Sequence, residues 1–480
     1  MRKVHHVRDW RMLIGGDLVT GDRRYATENP ATQEHLAEVP FADPRTVDAA
    51  VLAAHAAWPA WRRRAARDRA DRVRALADLL QRHAGELARL DTLDTGVPLW
   101  MMRADLVTGL DRMRMFADWA LLQRGETVPA SAAGLHFTER VPYGVVARII
   151  AYNHPAMFAI SKIAAPLVAG NTVVLKPSEL TPLSALRIGE LAAEVLPPGT
   201  LSVVTGDGRT GDALVRHPLV RRIAFTGSQA TGRTIQRGAA ETGVKNVSLE
   251  LGGKNALIVF PDADLELAAE GAVRGMNLAF AGQSCGSTSR LLAHPAIAGE
   301  LTERIRARFR EVRVGDPFRP GVVMGPLISA AHRDRVLGHI AAPPGDGTLV
   351  CGGVRPDGLD RGHFVSPALF TGVRPGSPLA TDEIFGPVLS VLSFDTEQEA
   401  TGLANDTGYG LTGAVYTADL GRAHRVAREL EAGYVWVNDT STHFPAMPFG
   451  GVKGSGLGRE ESLEELLDYT QVKTVNVVLR

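Results

Sequence analysis

The stretch AGQSCGSTSR, residues 281–290, sets Cys285 among glycines, serines and a glutamine in a 480-residue chain whose other cysteine is Cys351. Small neighbours leave the sulfur open and let backbone N–H groups approach it, which is what a thiolate nucleophile needs. The same residues also suit a small buried hydrophobe, and alone they do not decide. Cys351, in TLVCGG, lacks such surroundings and reads as structural. Glu250, in VSLELGGKN, is an acid at the end of an apolar strand, followed by Gly252 and Gly253. Partial burial would raise its pKa and suit it to general-base work, although a plain charge at a strand end has the same appearance. Asn153, in AYNHPAMF, lies just past another strand, where its amide could donate to a developing oxyanion or simply make a turn.

Two further stretches could hold a nucleotide. FTGSQATG places Gly227, Ser228 and Gly232 between a strand and a helix, where helix N–H groups favour a phosphate. It is not G-x-G-x-x-G, so the usual dinucleotide fingerprint is not met. LKPSE puts Lys176 and Glu179 at another strand exit, a donor and an acceptor for a ribose. Each signal is weak alone; their order along one chain gives them weight.

Such residues must be positioned by strand ends. From 141 onward, GVVARIIAY, TVVLKP, LSVVTG and RRIAFTG read as strands. Helical stretches such as AMFAISKIAAPLVAG, closed by Gly170, alternate with them. This α/β alternation implies a doubly wound parallel sheet with ligands at its carboxyl edge. A second α/β region begins near 252, where NALIVF reads as a strand and DLELAAEGAVRGMNLAF as a helix that delivers the cysteine. Residues 46–96 read as helices, with Val73, Leu76, Leu79 and Leu80 at helical spacing. Their arginines, from Arg62 through Arg69 to Arg74, alternate with Asp68, Asp71 and Asp78 as a solvated face. GLHFTERVPYG and QVKTVNVVLR read as detached strands suited to an intersubunit arm, and AAPPGDG (341–347) as a surface loop.

Composition narrows the classes. Acidic and basic residues balance at 53 each, which argues against a nucleic-acid or membrane-surface binder. No window approaches the roughly 18 apolar residues of a membrane-spanning helix. The first residues carry charge without an apolar core, unlike a signal peptide. Two cysteines make neither a disulfide framework nor a C-x-x-C metal site, which fits a reducing cytoplasm. The His5–His6 pair reads as a terminal feature and not a metal site.

In order along the chain, YNHP, VVLKPSE, FTGSQATG, LELGGKN, GQSCGSTSR, EIFGPV, NDTGYGLTGAVYT, GYVWVN and PFGGVKGSGLGRE resemble the NAD(P)-dependent aldehyde dehydrogenase superfamily. The resemblance covers essentially the whole chain. It implies that Cys285 adds to an aldehyde, that Asn153 and the Cys285 backbone N–H hold the oxyanion, and that Glu250 activates the hydrolytic water, with Lys162 in support. It implies NAD held by Lys176, Glu179, Gly227, Ser228, Gly232, Glu383 and Phe385, with NADP disfavoured by the Glu179 carboxylate. It further implies a Rossmann-like cofactor domain (1–121 and 142–251), a catalytic domain (252–467) and a β arm (122–141 and 468–480) that builds a homodimer or homotetramer. The departures fall on the substrate side, where His154 and Ser161 replace aromatic residues and Thr108, Arg112, Ser441 and His443 add polarity. With Met157, Ser284 and Phe449 these form a pocket expected to suit a polar or anionic aldehyde. A CoA-acylating relative, a cofactor-free cysteine hydrolase and a catalytically silent homologue are the alternatives. Glu250 and the paired nucleotide stretches weigh against the first two, and the complete set of reactive residues against the third.

Overall fold

The computed structural model describes residues 8–341 and 345–478; the His5–His6 pair and residues 342–344 of the expected loop lie outside them. Five parallel strands form the heart of the first sheet: Val145–Ile149, Thr172–Lys176, Leu201–Val203, Val220–Thr226 and Asn246–Glu250. Across the sheet they run third, second, first, fourth, fifth in chain order, so the order reverses between Val145–Ile149 and Val220–Thr226. Antiparallel strands extend both edges, Met12–Ile14 with Asp17–Val19 on one side and Gly456–Leu457 on the other. The second sheet has seven strands, and only Thr348–Cys351 at its edge runs antiparallel to its neighbour.

Each sheet has its own apolar core. One gathers side chains from Trp10 to Leu251 together with Phe280, Leu466 and Tyr469, and the other runs from Ala256 to Phe449. The helix Pro155–Ala169 lies at the centre of the first. Every one of its residues is buried, which explains its nearly continuous apolar sequence. Pro155 starts it, and Gly170, at φ +95°, closes it in the left-handed conformation that glycine accepts most readily.

The expected early helices are present, and Val73, Leu76, Leu79 and Leu80 are buried in the helix Ala66–Arg82. The solvated arginine face needs one correction. Arg64 and Arg74 pair with Asp68 and Asp71, but Arg69 is buried and donates to the Val168 carbonyl at 3.0 Å, near the end of the Pro155 helix. A long guanidinium can reach a last-turn carbonyl that has no partner in its own helix. The two detached strands find each other: Gly134–Pro142 pairs antiparallel with Thr470–Val478 in an unbroken register. This ribbon exposes Leu135, Val472, Val477 and Val478. Among the described residues no helix is long and apolar enough to cross a membrane.

A buried ion cluster ties the chain's late segment to the first core. Glu460 accepts from Arg148 at 2.5 Å and from Lys162, and Arg148 is fully enclosed. Burial works against its charge, yet Arg148 and Lys162 hold the Glu460 carboxyl well below the usual carboxylate range. Glu460→Ala would leave both cations buried and unpaired. Urea unfolding is expected to show a loss of about 3–5 kcal/mol; a loss below about 1 kcal/mol would contradict this reading.

Candidate active site

Where the strand order reverses, the connections leave in opposite directions and a crevice opens at the carboxyl ends. Here it is a cleft of about 730 Å³. Its walls bring together Lys176, Glu179, Ser228, Glu250, Cys285 and Phe385. Asn153, Gly227 and Glu383 share these walls, whereas Lys162 and Gly232 stand behind them.

Cys285 reaches this cleft on a turn built by long-range contacts. Asn255 donates to the carbonyls of Cys285 and Ser287 at 2.7 and 2.9 Å, while its own carbonyl oxygen accepts from the Thr412 N–H at 3.0 Å. A Cβ on Gly253 would stand 2.7 Å from the Cys285 carbonyl, and one on Gly252 would overlap the Glu383 carboxylate. The glycine pair after Glu250 is therefore a matter of close approach. Asn153 is buried, and its amide donates to the Gln283 carbonyl at 3.0 Å, two residues before the sulfur. Gln283 is locked in turn by the Ile328 N–H on its side-chain oxygen. Cys285 is half-buried. Its enclosure, with the carboxyls of Glu250 and Glu383 nearby, pushes the thiol well above its usual range.

Glu250 ends its strand with a buried carboxyl, one oxygen of which has no protein partner. Burial, with Glu460 close by, raises it well above the ordinary carboxylate range. This is the environment a general base requires, because its proton affinity is brought closer to that of its task. Lys162 does not meet Glu250 directly; it is committed to Glu460.

On the nucleotide side, Lys176 is buried with its ammonium on the Pro177 carbonyl at 3.0 Å, and Glu179 stands 3.8 Å away with its carboxylate half in solvent. Ser228 caps the helix Gln229–Thr242 by accepting from the Thr231 N–H, at the anion-favouring end of that helix. Gly232 lies one turn in, under Leu251. Glu383 accepts from the Gly253 N–H at 3.0 Å, and burial brings its carboxyl to about 7. Phe385 adopts φ +55° and is held by His332, whose Nε2 donates to its carbonyl at 2.7 Å. These groups fit an adenine dinucleotide: acid for ribose, helix N-terminus for pyrophosphate, and a second acid beside the cysteine.

The Aldehyde dehydrogenase family model matches residues 19–475. The chain belongs to that family. It is 44% identical over 473 residues to the aldehyde dehydrogenase tropH of Talaromyces stipitatus, covering 95% of this chain and 91% of that protein. Among solved structures it resembles a betaine aldehyde dehydrogenase from Staphylococcus aureus in complex with NAD+, at 37% identity and a TM-score of 0.95 over 99% of this chain and 95% of that one. The NAD+ complex of an aldehyde dehydrogenase from Bacillus cereus aligns at 38% identity and a TM-score of 0.96, over 98% and 97% of the two chains.

Within this family member, the residues expected on the substrate side do not line the main cleft, and several have their polar atoms engaged elsewhere. His154 sets Nδ1 2.6 Å from Asp105 and packs its ring between Phe158 and Phe280. Ser161 donates to the Met157 carbonyl one turn back, and exposed Thr108 likewise donates to Ala104. Arg112 meets the Met157 sulfur and pairs with Glu461. Ser284 is half-buried beside the cysteine; Ser441 accepts a 3.4 Å contact from Asn277. His443 packs on buried Phe449 at 4.7 Å. A buried polar atom must be satisfied, and a backbone carbonyl or a carboxylate takes up those of His154, Ser161 and Arg112. The wall is therefore less polar than its residue types promise. Asn255, Gln283, His332, Glu460 and Glu461 were not singled out from the sequence. Asn255 and Glu460 do sit inside the recognised LELGGKN and GSGLGRE stretches.

The raised thiol makes a direct prediction for the cofactor-free protein. Alkylation of Cys285 by iodoacetamide, with the Cys285→Ala background subtracted, is expected to be slow near neutrality. It should rise about tenfold per pH unit, as the thiolate fraction does, without levelling between about pH 7 and 9. A rate already at its plateau near pH 7 would show a thiolate that this environment does not support.

Proposed function

We propose that this chain oxidises an aldehyde to a carboxylic acid with NAD, using Cys285 as nucleophile and Glu250 as general base. The observation that carries the reading is that both stand on one cleft, with the Asn153 amide fixed at the cysteine turn. Sulfur adds to the aldehyde carbon, and the thiol proton leaves through the open cleft. The resulting oxyanion takes hydrogen bonds from the Asn153 amide and the Cys285 N–H. NAD, when bound, accepts the hydride that converts this adduct to a thioester. Glu250 then removes a proton from a water that attacks the thioester carbon, and the C–S bond breaks to return the thiol and release the acid. Sulfur serves both as entering and as leaving group, which divides one hard oxidation into two easier steps.

Lys176 and Glu179 would hold the adenosine ribose, Ser228 and the helix behind it the pyrophosphate, and Glu383 and Phe385 the nicotinamide end. The Glu179 carboxylate would repel a 2′-phosphate, so NAD is preferred to NADP. The cofactor and catalytic domains divide at 251/252, with the short strand Gly456–Leu457 returning to the first sheet. The ribbon of Gly134–Pro142 and Thr470–Val478, with its exposed Leu135, Val472, Val477 and Val478, would be covered by a second copy, giving a homodimer or homotetramer in the cytoplasm.

Rapid mixing with aldehyde and NAD separates the roles. Cys285→Ala should form no NADH. Glu250→Gln should keep a fast first turnover and lose roughly 10²–10⁴-fold in the steady state. Asn153→Ala should lose roughly 10²–10³-fold in the first turnover itself. Steady NADH production by Cys285→Ala, or loss of the first turnover in Glu250→Gln, would contradict the assignment.

A further inference from the structure

The substrate-side residues converge on a carboxylate. Glu461 accepts from Arg112 Nη2 at 2.6 Å and lies 3.3 Å from His443 Nδ1. The Arg112 and Glu461 side chains are each only 13% exposed. Glu461 also sits at φ +67°, a conformation that a glutamate adopts at a cost and that persists only where the surroundings hold it. Its N–H is held by the Glu465 carboxylate at 2.7 Å. The cluster lies next to the reacting groups: Met157, which Arg112 meets, stands in the first turn of the helix Pro155–Ala169 just past Asn153, and Glu461 directly follows Glu460, which holds Lys162 on that same helix. Apolar and aromatic side chains pack against the cluster. Met157 lies against Arg112, and His443 packs on Phe449 and stacks on Tyr434, 5.9 Å away.

We infer that Glu461 is a specificity-determining residue that occupies Arg112, denies the substrate a cationic partner, and confines the site to uncharged, ring-bearing aldehydes. A carboxylate-bearing aldehyde would have to separate Arg112 from Glu461, leaving Glu461 without its partner in a nearly closed space. It would also bring like charges together beside Cys285. A neutral ring meets neither penalty and finds aromatic edges and a thioether to pack against. This replaces the expectation of a polar or anionic aldehyde drawn from His154, Ser161, Thr108, Arg112, Ser441 and His443, and it rests on the reading of Cys285 as the aldehyde nucleophile.

The test compares kcat/KM for benzaldehyde and 4-carboxybenzaldehyde, at saturating NAD, in the wild type, Glu461→Gln, Arg112→Gln and Cys285→Ala. The wild type should prefer the neutral aldehyde by at least about tenfold; Glu461→Gln should erase about tenfold of that preference by gaining on the carboxylated aldehyde, and Arg112→Gln should widen it. Damage to the fold would instead depress both aldehydes together. An unchanged ratio in Glu461→Gln, or a wild type that favours the carboxylated aldehyde, overturns the inference while leaving the nucleophile intact. Turnover of both aldehydes by Cys285→Ala would overturn the reading of Cys285 and the inference with it.

Discussion

Asn255 holds the cysteine turn from both sides. Its amide donates to two carbonyls of the turn, and its oxygen receives a backbone N–H from the strand Thr412–Tyr416 in the second sheet. Because Asn255 lies two residues past Gly253, with Lys254 between, the stretch that ends the first sheet at Glu250 also fixes the position of sulfur. The two glycines let Glu383 and the Cys285 carbonyl come against the backbone. Glu250, Cys285 and Glu383 are thus set by one short crossing between two cores. Preorganisation of this kind matters because a displacement of about 1 Å at reacting atoms costs on the order of 10²-fold in rate.

Charge is sorted with equal care in this region. Glu460 has two cations and stays ionised, whereas Glu250, close by, has an oxygen with no protein partner and resists ionisation. Lys162 belongs to the first group: it holds Glu460, and its charge works against the rise of the Glu250 carboxyl. Glu461 forms a third unit with Arg112 and His443. Two carboxyls adjacent in sequence therefore serve different neighbours, one Arg148 and Lys162 in the first core and the other Arg112 and His443.

Local patterns made much of this legible. Strand exits follow from short apolar runs ended by glycine, proline or a polar residue, and Asn153, Lys176, Ser228 and Glu250 are each at one. The detached strands were legible as strands outside a core; that they pair with each other comes from the fold. What was hidden depends on contacts far apart in sequence. Gly252 and Gly253 gain their meaning from Glu383 and Cys285. Arg69 looks like any surface arginine until the Val168 carbonyl is found beside it. The polarity read into His154, Ser161 and Arg112 was real, but Asp105, Met157 and Glu461 had already claimed those atoms. Residue type announces a hydrogen-bonding capacity; only the fold shows whether it remains free.

The central claim is a covalent acyl group on one sulfur, released by one carboxyl. Acid-quenched mass spectrometry of Glu250→Gln, after mixing with NAD and an aldehyde, tests it most directly. The account predicts an added acyl mass, two hydrogens lighter than the aldehyde adduct, on the peptide that carries Cys285 and not on the one that carries Cys351. An unmodified Cys285 at a time when NADH has formed, or the acyl mass elsewhere, would contradict it.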